Sequence, residues 1–237
     1  HGLLCDSLER AARRENRWAS HNLACAQSLL ERYGPHDRRV SVRIAEHLAE
    51  AGRPDDALDL LEGAVSSIRH DSLSESSLPL LERHEEIAEE LGLEPTSHNR
   101  VFNRCVRANY HLSMGEAERA EELAHEAADL ARENEYDDCL ALALRTLGVL
   151  STKRGEHHDA KHFLNHAVHH GLRADDLAET GHALASRSNV HHFLGELDEK
   201  RTTLEYAESA FLGAGLDIEA ARIRALVIAE RSDDEDD

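Results

Sequence analysis

Aromatic residues supply only 4% of this 237-residue chain, and only 4 prolines interrupt it. Alanine, leucine, glutamate and arginine dominate instead. That balance excludes a sheet built on β-branched and aromatic side chains and favours helices packed through small ones. Lysine is nearly absent too, confined to Lys153, Lys161 and Lys200, so arginine carries the positive charge. The four cysteines, Cys5, Cys25, Cys105 and Cys139, form no CxxC pair and stand far apart. A disulfide scaffold is excluded on that pattern, and small buried thiols in a reducing compartment are expected. No run approaches the eighteen apolar residues of a membrane-spanning helix, and no signal peptide is visible, so a cytoplasmic location is expected. The chain opens at His1 without methionine, which reads as a piece cut from a longer protein.

Chemical motifs are missing as well. There is no glycine-rich phosphate loop, no HExxH, no nucleophile elbow and no kinase signature. His84, Glu85 and Glu86 begin like a zinc-protease helix, but the second histidine does not follow. Carboxylate pairs such as Glu121 with Glu122, or Asp137 with Asp138, read as the solvated faces of an acidic helical protein. Trp18 reads as a packing anchor for the N-terminal helices. No enzyme, no catalytic residue and no cofactor is expected. A helical hydrolase or metal-dependent enzyme is kept only as a third reading.

What is present is acid: 47 Asp and Glu stand against 27 Lys and Arg, a formal charge of −20. Nucleic acid and anionic membranes would be repelled by the chain as a whole.

A short pattern also recurs, in which a helix ends in glycine and is followed by polar residues, an alanine and a second amphipathic run. Its instances are AEAGRPDDALDLLEGA (49–64), LSMGEAERAEELAHEA (112–127), STKRGEHHDAKHFLNHA (151–167) and HHFLGELDEKRTTLEYA (191–207). Gly115, Gly155 and Gly195 follow one another at 40 residues (155 − 115 and 195 − 155). Each glycine can end a helix at positive φ without a Cβ penalty. The alanines that follow, Ala57, Ala120 and Ala160, then Ala64, Ala127, Ala167 and Ala207, let the second helix press on the first. Lys200 replaces the alanine in the last instance, so a looser hairpin is expected there. Twelve helices follow, including 157–170, 175–194 and 217–230, with Pro79 suited to the first turn of a helix over 76–91.

Leu144, Leu147, Gly148, Gly155, Ala160, Leu164 and Ala167 together resemble the tetratricopeptide (TPR) repeat in a version with about forty residues per helical pair. The resemblance implies an all-α, right-handed α-solenoid of antiparallel helix pairs. Residues 1–38 would be an N-terminal helical pair capping or linking to a preceding module, 39–231 the TPR-like array, and 232–237 a disordered acidic tail. By analogy, the first helix of each pair lines a concave groove, with Cys105, Asn109, Leu112, Arg145, Val149, Lys153, His182, Asn189 and His192 exposed along it. Asn109 and Asn189 occupy corresponding places, and asparagine offers a passing peptide both a donor and an acceptor. Arg145 and Lys153 add positive charge suited to an acidic segment.

The segment HHDAKHFLNHAVHH (157–170) holds six histidines. At 100° per residue, Ala160, Phe163, Leu164, Ala167 and Val168 share one side, while His158, His162 and His169 project opposite. His166 and His170 drift toward the apolar edge. The stripe reads as solvated surface with no built metal site, although His158, His162 and His166 could chelate zinc, nickel or copper adventitiously. A true site would need help from His182, His191 or His192 on the next hairpin.

The N-terminal stretch from His1 to Val65, HGLLCDSLERAARRENRWASHNLACAQSLLERYG and RIAEHLAEAGRPDDALDLLEGA within it, resembles the helical segment that follows the ATPase module in bacterial STAND-type signalling proteins, some of which also carry a serine/threonine kinase. That resemblance implies a C-terminal scaffold or sensor arm. It would bind a protein or peptide partner, or another part of its own parent chain. The alternative is a small-ligand-sensing domain, with Arg145, His182 and His192 as contacts, controlling an ATPase or kinase outside these residues.

Overall fold

The computed structural model describes residues 2–35, 37–69 and 73–233, with side chains further limited to exclude 2–6, 38 and 229–233. Among the described residues there are twelve α-helices, one 3-10 turn (Glu75–Ser77) and no strand, and the fold is an all-α solenoid of TPR-like helix pairs. The helices are α1 (Gly2–Arg14), α2 (Trp18–Tyr33), α3 (Arg38–Glu50), α4 (Pro54–Ile68), α5 (Leu78–Glu90), α6 (His98–Met114), α7 (Ala117–Glu133), α8 (Asp137–Lys153), α9 (His157–Arg173), α10 (Leu177–Leu194), α11 (Leu197–Gly213) and α12 (Asp217–Asp233). They group into two compact units, His1–Asn103 and Arg104–Asp237, the division falling inside α6.

In the first unit α3 and α4 form the central hairpin, with α2 against α3 and α5 against α4. Its core is aliphatic: Ile44, Leu61, Ile68, Leu81 and Ile87 are almost wholly buried. Trp18 acts as the expected anchor. Its indole N–H donates to Glu50 at 2.6 Å, and the Arg13 guanidinium lies 4.6 Å over its ring, so α1, α2 and α3 meet at one side chain. Pro79 sits in the first turn of α5, as its missing N–H requires.

Two of the buried polar groups in this unit, Arg100 and His84, contrast in how they are satisfied. Arg100 donates to Glu85 and Glu89 and to the Leu93 carbonyl, so its guanidinium is satisfied by three acceptors. His84 is 1% exposed, and its Nδ1 has no hydrogen-bond partner. Burial pushes its imidazole down to about 4, against a weaker upward pull from Glu85. The folded chain therefore keeps His84 neutral where the unfolded chain protonates it near pH 6.5. Stability is complete above pH 6.5 and declines as pH falls toward about 4, below which both states carry the proton. We expect His84 to account for a loss of up to about 3 kcal/mol across that window. Urea unfolding of wild type and His84→Phe at pH 7.5 and pH 5 checks this: the variant should lose less stability on acidification, and equal losses would clear His84.

The second unit repeats one device. Gly115, Glu135, Gly155, Asp175, Gly195 and Gly215 all stand at positive φ, evenly spaced along the chain. At each, two reverse hydrogen bonds close the helix end. Glu116 N–H reaches the His111 carbonyl at 2.9 Å, and Gly115 N–H reaches that of Leu112 at 3.2 Å. The same pair recurs at 136, 156, 176, 196 and 216. This is the Schellman arrangement, which satisfies carbonyls that a helix end would leave bare. Glu135 (φ 59°) holds by force a backbone shape that glycine adopts freely. Glu135→Gly should therefore raise the urea midpoint by an amount worth about 1 kcal/mol. A lowered midpoint would mean the glutamate side chain contributes more than its backbone costs.

Helix positions follow the expected spacing, with three differences. α9 continues to Arg173 instead of stopping at 170, because Gly171 is a packing position rather than a terminator: a Cβ there would lie 2.6 Å from Thr180 Oγ1. α12 runs to Asp233, so the first two residues of the expected tail are helical, and 234–237 lie outside the described residues. Lys200 is half-buried and reaches His192 at 3.5 Å, while α10 and α11 close through the Phe211 ring lying on Gly181. All seven expected packing alanines, Ala57 to Ala207, are fully buried. α8 is covered nearly all round, from Cys139 to Gly148 and at Leu150 and Ser151.

Candidate functional site

The expected groove residues divide by register. Cys105 is fully buried, and its thiol donates to the Cys139 carbonyl at 3.3 Å. Asn109 and Leu112 are also buried, at 9% and 7% exposure. Arg145, expected on the surface, is buried because its Nε donates to Glu179 Oε1 at 2.6 Å across the α8–α10 contact. The positive charge it was to offer a partner is thus neutralised. His182 is half-buried, with its ring 4.9 Å from Phe211. Cys139 shares the burial of Cys105, whereas Cys25 is an exposed thiol, contrary to expectation, and the Cys5 side chain lies outside the described residues.

Lys153, Asn189 and His192 remain exposed, and together with Val149 they line one cavity of about 650 Å³. Thr152, Gly155, His157, Ser186 and Phe193 complete its wall. α8 and α10 present these residues side by side because they are repeat equivalents, Val149 standing in α8 where Asn189 stands in α10. The tight turn at Gly155 brings His157 back beside them.

The chemistry of the wall is specific. Thr152 and Ser186 donate their hydroxyl protons to the Gly148 and His182 carbonyls of their own helices, so toward the cavity they offer only acceptor lone pairs. Phe193 is 58% exposed and stacks on His157 with ring centroids 4.8 Å apart and planes 9° apart, a flat apolar platform. Lys153 has no carboxylate partner among the described residues. None of the nine lining residues is acidic. Sequence reasoning misses Phe193, Thr152 and Ser186, and places His157 only within a histidine run. The one trace of the platform there is an aromatic residue at a helix end, just before the terminating Gly195.

The histidine stripe faces water as expected at His158, His162 and His169, and His166 is exposed with them rather than at the apolar edge. His170 is half-buried and bound to Asp137 at 2.6 Å. His162 and His166 lie with ring centroids 4.6 Å apart, and no third metal-ligating side chain joins them among the described residues. Burial first, then His162, His170 and His169, holds His166 below the usual imidazole range. The α10 histidines are engaged elsewhere: His191 is bound to Glu196 at 2.6 Å, and His192 faces the cavity.

No protein-family model matches the chain, and no curated protein does. Among solved structures the chain is similar to BtubC (BKLC) from P. vanneervenii, at 15% identity over 87% of this chain and 92% of that one, with a TM-score of 0.56. A Podosopora anserina protein with "kinesin light chain nearly identical TPR-like repeats" aligns at 14% identity over 84% of this chain and 97% of its own, with a TM-score of 0.36. A second structure with the same repeats gives 14%, 86%, 98% and 0.36. At these identities the likeness is one of fold. No helix among the described residues is long and apolar enough to cross a membrane.

Proposed function

We propose that the chain is a non-enzymatic protein-interaction module whose α8–α10 cavity takes a short acidic segment of a partner protein. One observation carries the reading. In a molecule with 47 acidic residues, a cavity of about 650 Å³ is lined by none of them and holds a lysine with no carboxylate partner among the described residues. Lys153 supplies the charge, and Asn189 the paired donor and acceptor for a peptide backbone. The Phe193–His157 platform takes an apolar side chain beside the acid. As part of a larger bacterial signalling protein, the array would act as a scaffold or sensor arm. The support for that wider role is the resemblance of the stretch from His1 to Val65 to STAND-type proteins.

The size of the cavity also falls within the range of small-molecule sites, which favours a small anion as the second reading. Of the contacts expected for such a ligand, only His192 lines the cavity; Arg145 and His182 do not.

A fluorescently labelled peptide library separates these readings. Acidic peptides should bind and weaken as salt is raised, and Lys153→Glu should reduce their affinity at least about tenfold. Arg119→Glu, on the exposed face of α7, should leave binding unchanged. A preference for basic peptides, or indifference to Lys153→Glu, would overturn the groove. Failure of every peptide, alongside a melting shift with small carboxylates that requires Lys153, would favour the second reading.

A further inference from the structure

Between α9, α10 and α11 lies a second cavity, of about 510 Å³, which shares no lining residue with the one that holds Lys153. The repeat register shows how it arises. Forty residues to either side of Arg187 stand Leu147 and Val227, both buried in apolar clusters. Forty residues before Thr203 stands Phe163, packed against the cluster that holds Leu147. Thr203 is itself buried, so a small hydroxyl side chain takes a place where the preceding hairpin puts a ring. What that hairpin fills with hydrocarbon is here open and polar.

Arg187 is the group in this cavity that the fold leaves unsatisfied. It is half-buried, and its Nη1 donates to Asn165 Oδ1 at 3.1 Å. Its Nε is buried without a hydrogen-bond partner, and no carboxylate among the described residues pairs with it. Burial draws the guanidinium below the ordinary arginine value, with no acid close enough to raise it again.

The other charges of the wall largely cancel. Lys161 holds both oxygens of Glu196, at 2.9 and 2.6 Å, and His191 shares that carboxylate at 2.6 Å. Asp198 is paired with Arg201 at 2.8 Å. One cation, Arg187, and one anion, Glu199, are left without an ionic partner among the described residues. They do not meet each other. In the antiparallel α10–α11 contact a Cβ on Gly181 would strike the Phe211 ring, which sets Arg187 level with residue 205. Glu199 therefore lies six residues, about 9 Å, further along the axis. Thr202 and Thr203 stand between the two levels, and the Tyr206 ring, 62% exposed, adds an apolar surface at the Arg187 end.

We propose that this cavity binds a small zwitterion whose carboxylate and amine are several carbons apart, the carboxylate on Arg187 and the amine on Glu199. The guanidinium presents a planar fork that matches a carboxylate. A dianionic phosphate fits less well, because Asp198 and Glu199 line the same cavity and would repel it. The site is independent of the reading given to the α8–α10 cavity.

Isothermal titration calorimetry on the full chain at low salt tests this with 6-aminohexanoate, using hexanoate and hexylamine as probes that carry one charge each. The zwitterion should bind at least about tenfold more tightly than either, and glycine, whose charges are too close to reach both residues, should not match it. Arg187→Gln should weaken 6-aminohexanoate at least about tenfold, and Glu199→Gln should reduce it to the affinity of hexanoate. Arg107→Gln, in the same register eighty residues earlier, should change nothing. Thermal melts separate a binding group from a structural one: a half-buried guanidinium without an acid adds nothing to folding, so Arg187→Gln should leave the free protein's Tm unchanged or raise it. Triglycine binding more tightly than 6-aminohexanoate would place the ligand among short peptides, and weaker binding would place it among free amino-carboxylates; either supports the site. The absence of saturable heat with every zwitterion overturns the proposal. Equal affinity for hexanoate, indifference to Arg187→Gln, or a lowered Tm for that variant does so too.

Discussion

Ala160→Asp should melt the hairpins around α9, while His162→Ala, two residues away on the same helix, should leave the thermal melt unchanged. Ala160 is fully buried, and its carbonyl oxygen lies 3.4 Å from where a Cβ on Gly148 would stand, so α8 leaves no room for a carboxylate. A buried charge without a partner costs several kcal/mol, about 4 kcal/mol or more, against a total stability on the order of 10 kcal/mol for a domain. In a solenoid each pair buries its apolar face only against its neighbours, so the loss should begin locally and spread. Far-ultraviolet circular dichroism would show lost helix and a lower, broader melt. Acid should restore part of the signal, because burial raises the carboxyl group's proton affinity and the neutral acid is cheaper to bury. His162 is exposed, and its loss removes one edge contact with His166. Greater damage from His162→Ala than from Ala160→Asp would reverse the assignment of the two faces of α9.

Glu179→Ala should cost about 3–5 kcal/mol, because it strands the Arg145 guanidinium between α8 and α10. The pair is closed off from water, with side-chain exposures of 9% for Arg145 and 1% for Glu179 and an Nε to Oε1 separation of 2.6 Å. Removing both charges is a different matter, since two long apolar side chains fill the same space without a desolvation penalty. The double variant Arg145→Met with Glu179→Met should recover most of what either single change loses. Chemical denaturation of the four proteins forms a double-mutant cycle, and purely additive losses would show that the two residues are not coupled. The pair also ties α8 to α10, the two helices that supply most of the cavity wall. Glu179→Ala should therefore loosen the spacing between Lys153 and Asn189 and weaken any ligand held between them.

Which features can be read from the chain follows from how local their causes are. Gly115, Gly155 and Gly195 announce their turns because glycine is the residue that positive φ favours, and the buried alanines announce the hairpins because nothing larger fits. The turns at Glu135 and Asp175 are quiet, since glutamate carries no signal for a left-handed backbone and aspartate a far weaker one than glycine, and so the intermediate corners of the repeat stay hidden. Gly171 misleads for the converse reason: it is placed for contact with Thr180, within a helix. At the site, position 109 and its equivalents 149 and 189 share one register yet run from buried to half-buried to exposed. Their exposure depends on neighbouring helices and not on the residue itself. Arg145 reads as available because its neutralising partner Glu179 stands two helices further along, on α10, beyond any local pattern.

The uniform joints have a genetic consequence. Gly115, Gly155 and Gly195 are each followed by glutamate, and each pair sits in the same hydrogen-bonded corner. Excision of 116–155, or duplication of it, joins a Gly to a Glu and regenerates the junction it removed, with reading frame and helix phase intact. Unequal recombination within the coding sequence could thus lengthen or shorten the array by whole hairpins without passing through a broken intermediate. Reach is the property most open to change between descendants of such a protein, and corner geometry the least.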